Sequence, residues 1–131
     1  MASDSILFSK ETGSSSSAAI TSSFTDLGSE IVLRNNRRSI GINLYNSHAS
    51  VALTDFQILG KVHPDGAFVV LVTGATWGTV AGIVKHFTGA LNTLAATSNA
   101  LAYLDLPPLY SIKFQAKTGT TGAATVYWNL A

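Results

Sequence analysis

The stretch that decides the fold is Tyr110-Ser-Ile-Lys-Phe-Gln-Ala-Lys117, followed by Thr118-Gly-Thr-Thr-Gly-Ala123 and Ala124-Thr-Val-Tyr-Trp-Asn-Leu130. In the first and last of these runs apolar residues alternate with polar ones, which is typical of a β-strand with one buried face. Gly119 and Gly122 in the middle run can adopt positive φ without a steric penalty. We therefore predict a β-hairpin whose apolar side chains form one wall of the core.

Earlier in the chain the sequence predicts a second hairpin. Residues 20–24 and 30–34 are strand-like and flank turn-forming residues at 26–29. Asn35 and Asn36 then supply turn chemistry before the alternating run 40–45.

A third hairpin is predicted around His63-Pro-Asp-Gly66, where Pro occupies position i+1 and Gly position i+3 of a type I turn. The flanking strands are residues 51–62 and 67–72, and the second is apolar on both faces, as expected at a sandwich centre or under a subunit contact. Residues 73–106 are weakly patterned and broken by glycine, so they predict loop and strand. Leu106-Pro-Pro-Leu109 predicts a corner, because proline cannot sit inside a ladder.

These segments predict an all-β fold, a single antiparallel β-sandwich with an extended N-terminal arm. We place the arm at residues 1–19 and the sandwich domain at residues 20–131. The arm is rich in serine and buries too little apolar surface to order by itself. Its large apolar residues, Ile6, Leu7 and Phe8, are therefore candidates for docking on a partner subunit.

Composition favours an assembly protein. The 131 residues are 47% hydrophobic but only 11% charged, whereas a typical soluble domain has roughly 25% charged residues. A surface with so little charge does little to keep copies apart. The net charge of +1 gives no long-range attraction to nucleic acid or anionic lipid, so we expect neither as a partner. The absence of cysteine excludes disulfides and thiolate metal sites.

No motif in the sequence predicts catalysis. His48, His63 and His86 lie far apart and lack the spacing of a helical metal site. There is no Gly-x-Ser-x-Gly elbow and no phosphate-binding loop. We expect no enzyme activity, no catalytic residue, no cofactor and no metal.

The one charge cluster is Arg34-Asn-Asn-Arg-Arg38. Nothing elsewhere extends it into a basic stripe, so Arg34, Arg37 and Arg38 are predicted to meet an acidic protein surface or solvent and not phosphate.

Aromatic residues leave a separate alternative open. Tyr45, Trp77 and Tyr127, if exposed, would suit stacking on a sugar, as in carbohydrate-binding modules. Packing in a core or an interface is the favoured use of each.

Two segments carry a resemblance to a known family: Asp55-Phe-Gln-Ile-Leu-Gly-Lys-Val-His-Pro-Asp-Gly-Ala-Phe-Val-Val70, and the closing run Tyr110 to Lys117 with Val126-Tyr-Trp. They resemble small β-sandwich virion proteins of tailed bacteriophages, particularly capsid decoration (cement) proteins. The resemblance implies a virion protein, assembled in the host cytoplasm, that binds outside the shell where major capsid subunits meet. It also implies a dimer or trimer whose N-terminal arm lies across its neighbours.

Three functional hypotheses follow from the sequence. The first is a cement protein that contacts the major capsid protein, and the second is a neck, tail or fibre adaptor that contacts other virion proteins. The third is a carbohydrate-binding β-sandwich. The low charge and the arm favour the first two.

Overall fold

A computed structural model describes residues 11–34, 37–73, 83–88 and 91–131, with backbone alone at residues 85–88. In these ranges the chain forms nine β-strands: β1 Glu11–Ile20, β2 Thr25–Val32, β3 Ser39–Tyr45, β4 Leu53–Lys61, β5 Val69–Thr73, β6 Val84–Thr88, β7 Asn99–Asp105, β8 Ser111–Thr118 and β9 Gly122–Leu130.

The strands form two sheets, and every pairing is antiparallel. The five-stranded sheet has the order β1-β9-β3-β7-β6, and the four-stranded sheet has the order β2-β8-β4-β5. The predicted antiparallel β-sandwich is therefore confirmed. The described residues include no helix long and apolar enough to cross a membrane.

The core lies between the two sheets and is built by alternation along each strand. On β3, for example, Ile40, Ile42 and Leu44 face inward, and their neighbours in sequence are only half-buried. At the centre of the four-stranded sheet, the rings of Phe56 and Phe114 stack with centroids 6.2 Å apart. Large aromatic side chains bury the most apolar area per residue, so this pair is a principal part of the core.

The predicted hairpin of residues 110–130 is wrong in its pairing. Both strands exist, but β8 lies between β2 and β4 in one sheet, and β9 lies between β1 and β3 in the other. The connection is a corner between sheets. Inward-facing residues on opposite sheets produce the same alternation as a hairpin, so the sequence pattern does not distinguish the two arrangements. The second predicted hairpin is wrong for the same reason, because β2 and β3 also lie in different sheets.

Glycine at this corner serves close packing and not positive φ. Neither Gly119 nor Gly122 has positive φ, contrary to expectation, and Gly66 does not have it either. Among the described glycines, Gly28 has positive φ, at +70°. A Cβ at Gly122 would lie 2.5 Å from Cγ2 of Thr118. Real Cβ atoms do not approach so closely, so this position requires glycine.

The hairpin around His63-Pro-Asp-Gly66 is confirmed. β4 and β5 pair, and the Gly66 amide donates to the His63 carbonyl oxygen over 2.9 Å. Its second strand, however, is at the edge of the four-stranded sheet and not at the centre. Val69 on β5 is 64% exposed.

The serine-rich segment is largely a strand and not a flexible arm. Residues 11–19 belong to β1, which pairs along β9, so the boundary predicted at residue 20 falls inside a strand. Small residues are needed there because the two sheets approach closely at this edge. A Cβ at Gly28 would lie 3.0 Å from the Cβ of Ser15, whose side chain is buried and only 6% exposed.

The turn predicted at residues 26–29 is wrong. These residues instead form a bulge in β2.

Trp128 explains why Gly13 of β1 has no side chain. Its ring lies against Gly13, where a Cβ would collide with the indole, and its Nε1 donates to Ser15 Oγ over 3.2 Å. The side chain is partly buried and packs on the core, so Trp128 closes the sandwich edge.

The weakly patterned region 73–106 contains β6 and β7, and its residues 74–82 and 89–90 lie outside the described ranges. Leu91 and Leu94, which have helical spacing, are buried in loops. The corner predicted at Leu106-Pro-Pro-Leu109 is confirmed, because it carries the chain from β7 in one sheet to β8 in the other.

Replacing Phe114 by alanine is expected to lower the free energy of unfolding by about 3–5 kcal/mol through lost burial and a cavity. Urea unfolding measures the change. Val62→Ala, at a side chain that is 76% exposed, is the control and should stay within about 0.5 kcal/mol of the parent protein. A loss below about 1 kcal/mol for Phe114→Ala would contradict this core assignment.

Thr118 generates a second prediction. Its buried hydroxyl lies within donating distance of the carbonyl oxygens of Thr120 and, at 3.1 Å, of Ile20. Thr118→Val keeps the shape but removes the donor, so it should destabilise the fold by about 1–2 kcal/mol. Thr118→Ser, which keeps the hydroxyl, is the matched variant in the same urea titration. If valine is tolerated as well as threonine, the hydrogen bond contributes no stability.

Candidate partner-binding site

The three arginines predicted to contact a partner lie at one end of the sandwich. We call this region, residues 33–34, 37–38, 62 and 108–110, the arginine end. Ser39 and Arg38 donate their amides to the Ala131 carbonyl oxygen, and Glu11 pairs with Leu130. The first residue of β1 is therefore at this end too, so residues 1–10 join the sandwich beside the arginines.

Backbone hydrogen bonds fix the arginine loop. The Arg37 amide donates to the Arg34 carbonyl oxygen over 3.1 Å. The Leu106 amide donates to the Arg38 carbonyl oxygen, and Arg38 Nε donates back to the Leu106 carbonyl oxygen over 3.1 Å. Arg34 and Arg38 are exposed, and Arg37 is half-buried. The side chains of Arg34 and Arg38 are thus available to a partner, and Arg38 is held in place through its Nε.

Beside these arginines is an open cleft of about 400 Å³. Apolar and cationic side chains share its walls, which comprise Leu33, Arg37, Arg38, Val62, Pro108, Leu109 and Tyr110. Val62 is 76% exposed at its rim. Arginine binds carboxylates in a bidentate geometry and stacks on planar groups, so this mixture suits a protein segment that carries both an apolar and an acidic residue.

The cleft borders on a short polar network. Lys61 Nζ is 3.3 Å from a carboxylate oxygen of Glu30, and the buried Ser111 hydroxyl donates to the same oxygen over 2.5 Å. The hydrogen bond from Ser111 and then the ammonium of Lys61 lower the pKa of Glu30 below its usual 4.5. Because Tyr110 donates its amide to the Lys61 carbonyl oxygen, the network supports one wall of the cleft.

Among the described residues, no group of three or more histidine and acidic side chains is placed to hold a metal ion. His48 Nδ1 accepts hydrogen bonds from the amides of Ser50 and Val51, which orders its loop. His63 Nδ1 accepts from the Asp65 amide in the β4–β5 turn. The side chain of His86 lies outside what the structure describes.

Several sequence-based candidates fall outside the described ranges. These are Ile6, Leu7 and Phe8 of the arm and the aromatic Trp77. Of the other two aromatics, Tyr127 is half-exposed and Tyr45 is half-buried, both on the five-stranded sheet. Sequence reasoning missed Val62 and Leu109 in the cleft, because each belongs to a different connection and they meet only in the folded chain.

The fold is shared with a prophage-derived protein. The crystal structure of SPBc2 prophage-derived protein YomS matches this chain with a TM-score of 0.53. The match covers 93% of this chain and 95% of that chain, at 14% sequence identity. No family model matches the sequence, and no curated protein matches it. At this identity the likeness establishes a common fold.

The lowered pKa of Glu30 predicts how stability depends on pH. A carboxyl whose pKa is lower in the folded state stabilises the fold above its unfolded value, and that contribution disappears as pH falls through the folded pKa. The difference in urea midpoint between the parent protein and Glu30→Gln should therefore be largest above about pH 4.5 and shrink below it.

Ser111→Ala provides the control for this pH series. Because the Ser111 hydroxyl is the largest cause of the lowered pKa, Glu30→Gln should have a smaller effect in that background. An effect of equal size at every pH, in both backgrounds, would contradict the assignment.

Proposed function

We propose that the protein is a non-enzymatic structural protein of a phage virion, a capsid decoration subunit that links major capsid proteins. Two findings support the proposal. The fold is shared with a prophage-derived protein, and the arginine end gathers the features suited to attachment.

The observation that carries the proposal is the convergence at the arginine end. Arg34, Arg37 and Arg38 meet there with the start of β1, from which residues 1–10 extend. A segment of ten residues reaches roughly 33 Å when extended, enough to lie across a neighbouring subunit. The cleft and residues 1–10 would thus each contact a surface of a neighbouring subunit, and both contacts would be made from the arginine end.

Energetics favour many copies over one strong contact. Burial of Ile6, Leu7 and Phe8 on a neighbour would contribute roughly 4–8 kcal/mol. Fixing the backbone of these three residues alone costs about 3–6 kcal/mol, at about 1–2 kcal/mol each, which consumes most of that gain. Such a contact is weak singly, but a repeating shell or a homodimer or homotrimer engages several at once. The low charge of the chain fits close packing of copies.

The segment is tested by deleting residues 2–10. Deletion through residue 17 would also remove most of β1 and confound binding with folding. We expect the shorter deletion to leave the thermal melt unchanged and to reduce retention on stripped particles at least about tenfold, equivalent to 1.4 kcal/mol per copy. Unchanged retention would contradict an anchoring role.

Charge reversal tests the cleft separately. Arg37→Glu combined with Arg38→Glu should weaken binding to the same particles and reduce its sensitivity to salt. Lys117→Glu, on the outer face of the four-stranded sheet near its other end, is the matched control and should bind normally. Gold labelling of intact particles then distinguishes a head position from a neck, tail or fibre position. Label on the tail would replace the decoration role with that of an adaptor.

A further inference from the structure

Along β1, β9, β3 and β7, the outer face of the five-stranded sheet carries almost no charge. The fifth strand, β6, contains Lys85 and His86, and His86 pairs with Tyr103, but the side chains of residues 85–88 lie outside what the structure describes. Along its described strands β1, β9, β3 and β7, the outward residues are Ser, Thr, Asn, Tyr, Gly, Ala and Leu, with Asp105 at the end of β7 as the charged one among them. On the four-stranded sheet, by contrast, Lys113 pairs with Asp26 at 3.3 Å, and Lys61 with Glu30. A ligand that uses the uncharged face need displace few strongly hydrated groups.

At the centre of this face is a trough whose floor is Gly41. A Cβ added at Gly41 would have no atom within 4 Å, so the space above β3 is open. On one side, Tyr103 of β7 is paired with Gly41. On the other side, Tyr127 of β9 is paired with Asn43, two residues further along β3. The two tyrosines are 45% and 50% exposed. The trough encloses about 440 Å³, within the range of roughly 300–1,000 Å³ found for small-molecule sites.

Unused hydrogen-bonding groups line the same trough. The side-chain oxygens of Asn43 and Asn129 are buried, and neither has a hydrogen-bond partner within the part of the chain that the structure describes. Buried polar atoms are nearly always paired, so two orphans in one trough call for a ligand or bound water. At its end Tyr103 shares a 3.4 Å hydrogen bond with Ser39, whose hydroxyl donates to Asp105.

We propose that this trough binds a neutral saccharide. A sugar ring presents a face of polarised C–H groups, which match the negative face of a tyrosine ring. Its hydroxyls need both donors and acceptors, and an asparagine amide supplies both. Gly41 leaves room for a ring between the two tyrosines, and Asn43 and Asn129 lie within the same trough. The absence of lysine and arginine from these outward positions favours an uncharged sugar over a phosphorylated or acidic one.

A protein partner fits this surface less well. Among the described residues, the large apolar side chains exposed there are Leu101, Tyr103 and Tyr127, which are too few to form the apolar centre of a stable interface. The trough shares no lining residue with the cleft at the arginine end, so it is a binding activity additional to the proposed attachment.

Titration of the ¹⁵N-labelled full chain with neutral di- and trisaccharides tests the site. The panel contains hexoses, N-acetylhexosamines and deoxyhexoses, and binding is followed by two-dimensional NMR. We expect at least one sugar to shift the amides of residues 41, 43, 101, 103, 127 and 129, with a Kd of about 1 mM or tighter.

Gly41→Val separates binding from folding. A Cβ added at Gly41 meets no protein atom within 4 Å, and valine favours strands, so the variant should fold about as well as the parent, with its two methyl groups occupying space in the trough. It should lose sugar binding at least tenfold, as should Tyr127→Ala, which removes the stacking surface. Gly119→Val, also in open space but at the β8–β9 corner, is the matched control and should bind like the parent.

Two outcomes overturn the proposal. One is the absence of trough shifts with every sugar in the panel. The other is loss of particle binding or self-association in Gly41→Val with no sugar response in the parent, which would make the trough a protein interface. Retention on particles by Gly41→Val, together with lost sugar binding, would support the proposal and leave the attachment role intact.

Discussion

The fold depends on two corner connections that stack on each other at one end of the sandwich. One connection, between β1 and β2, carries the chain from the five-stranded sheet to the four-stranded sheet. The other, between β8 and β9, carries it from the four-stranded sheet to the five-stranded sheet. Thr118 joins the two corners, because its amide donates to the Thr21 carbonyl oxygen over 2.9 Å and its hydroxyl to that of Ile20. Since β1 pairs with β9 and β2 with β8, this contact sets the register of four strands from both ends of the chain.

Sequence alternation identified most strands but not their partners. Alternation of apolar and polar residues indicates which face of a strand is buried. It is the same whether the next strand in the sequence pairs in the same sheet or lies across the core in the other sheet. The hairpin that was predicted correctly had a local turn signal, Pro64 followed by Gly66. The β8–β9 corner had glycines as well, but Gly122 is there because Thr118 packs against it. A glycine required for close contact cannot be distinguished in sequence from one required for φ.

The candidate sites were predictable only where their residues are contiguous. Arg34, Arg37 and Arg38 are close in sequence, so the cluster was visible, whereas Val62 and Leu109 join it through tertiary packing. Tyr127 was one of three aromatic residues for which sugar stacking was the alternative and packing the favoured use, and Gly41 and Tyr103 reach the trough from other strands. The serine-rich strand was missed because serine-rich segments bury little apolar surface. Its small residues fit β1 because Gly28 and Trp128 approach closely, which the sequence pattern does not report.

The unequal distribution of charge relates the fold to its proposed uses. Ion pairs such as Lys113 with Asp26 are partly exposed, and pairs of this kind contribute about 0–1 kcal/mol, so they add little to stability. Their larger effect is on hydration, because a partner that covered them would have to strip water from several charges. The outward residues of β9, β3 and β7 impose much less of that cost. The uncharged face therefore suits the proposed neutral ligand, whereas the proposed partner at the arginine end would need acidic groups to offset the desolvation of the guanidinium groups.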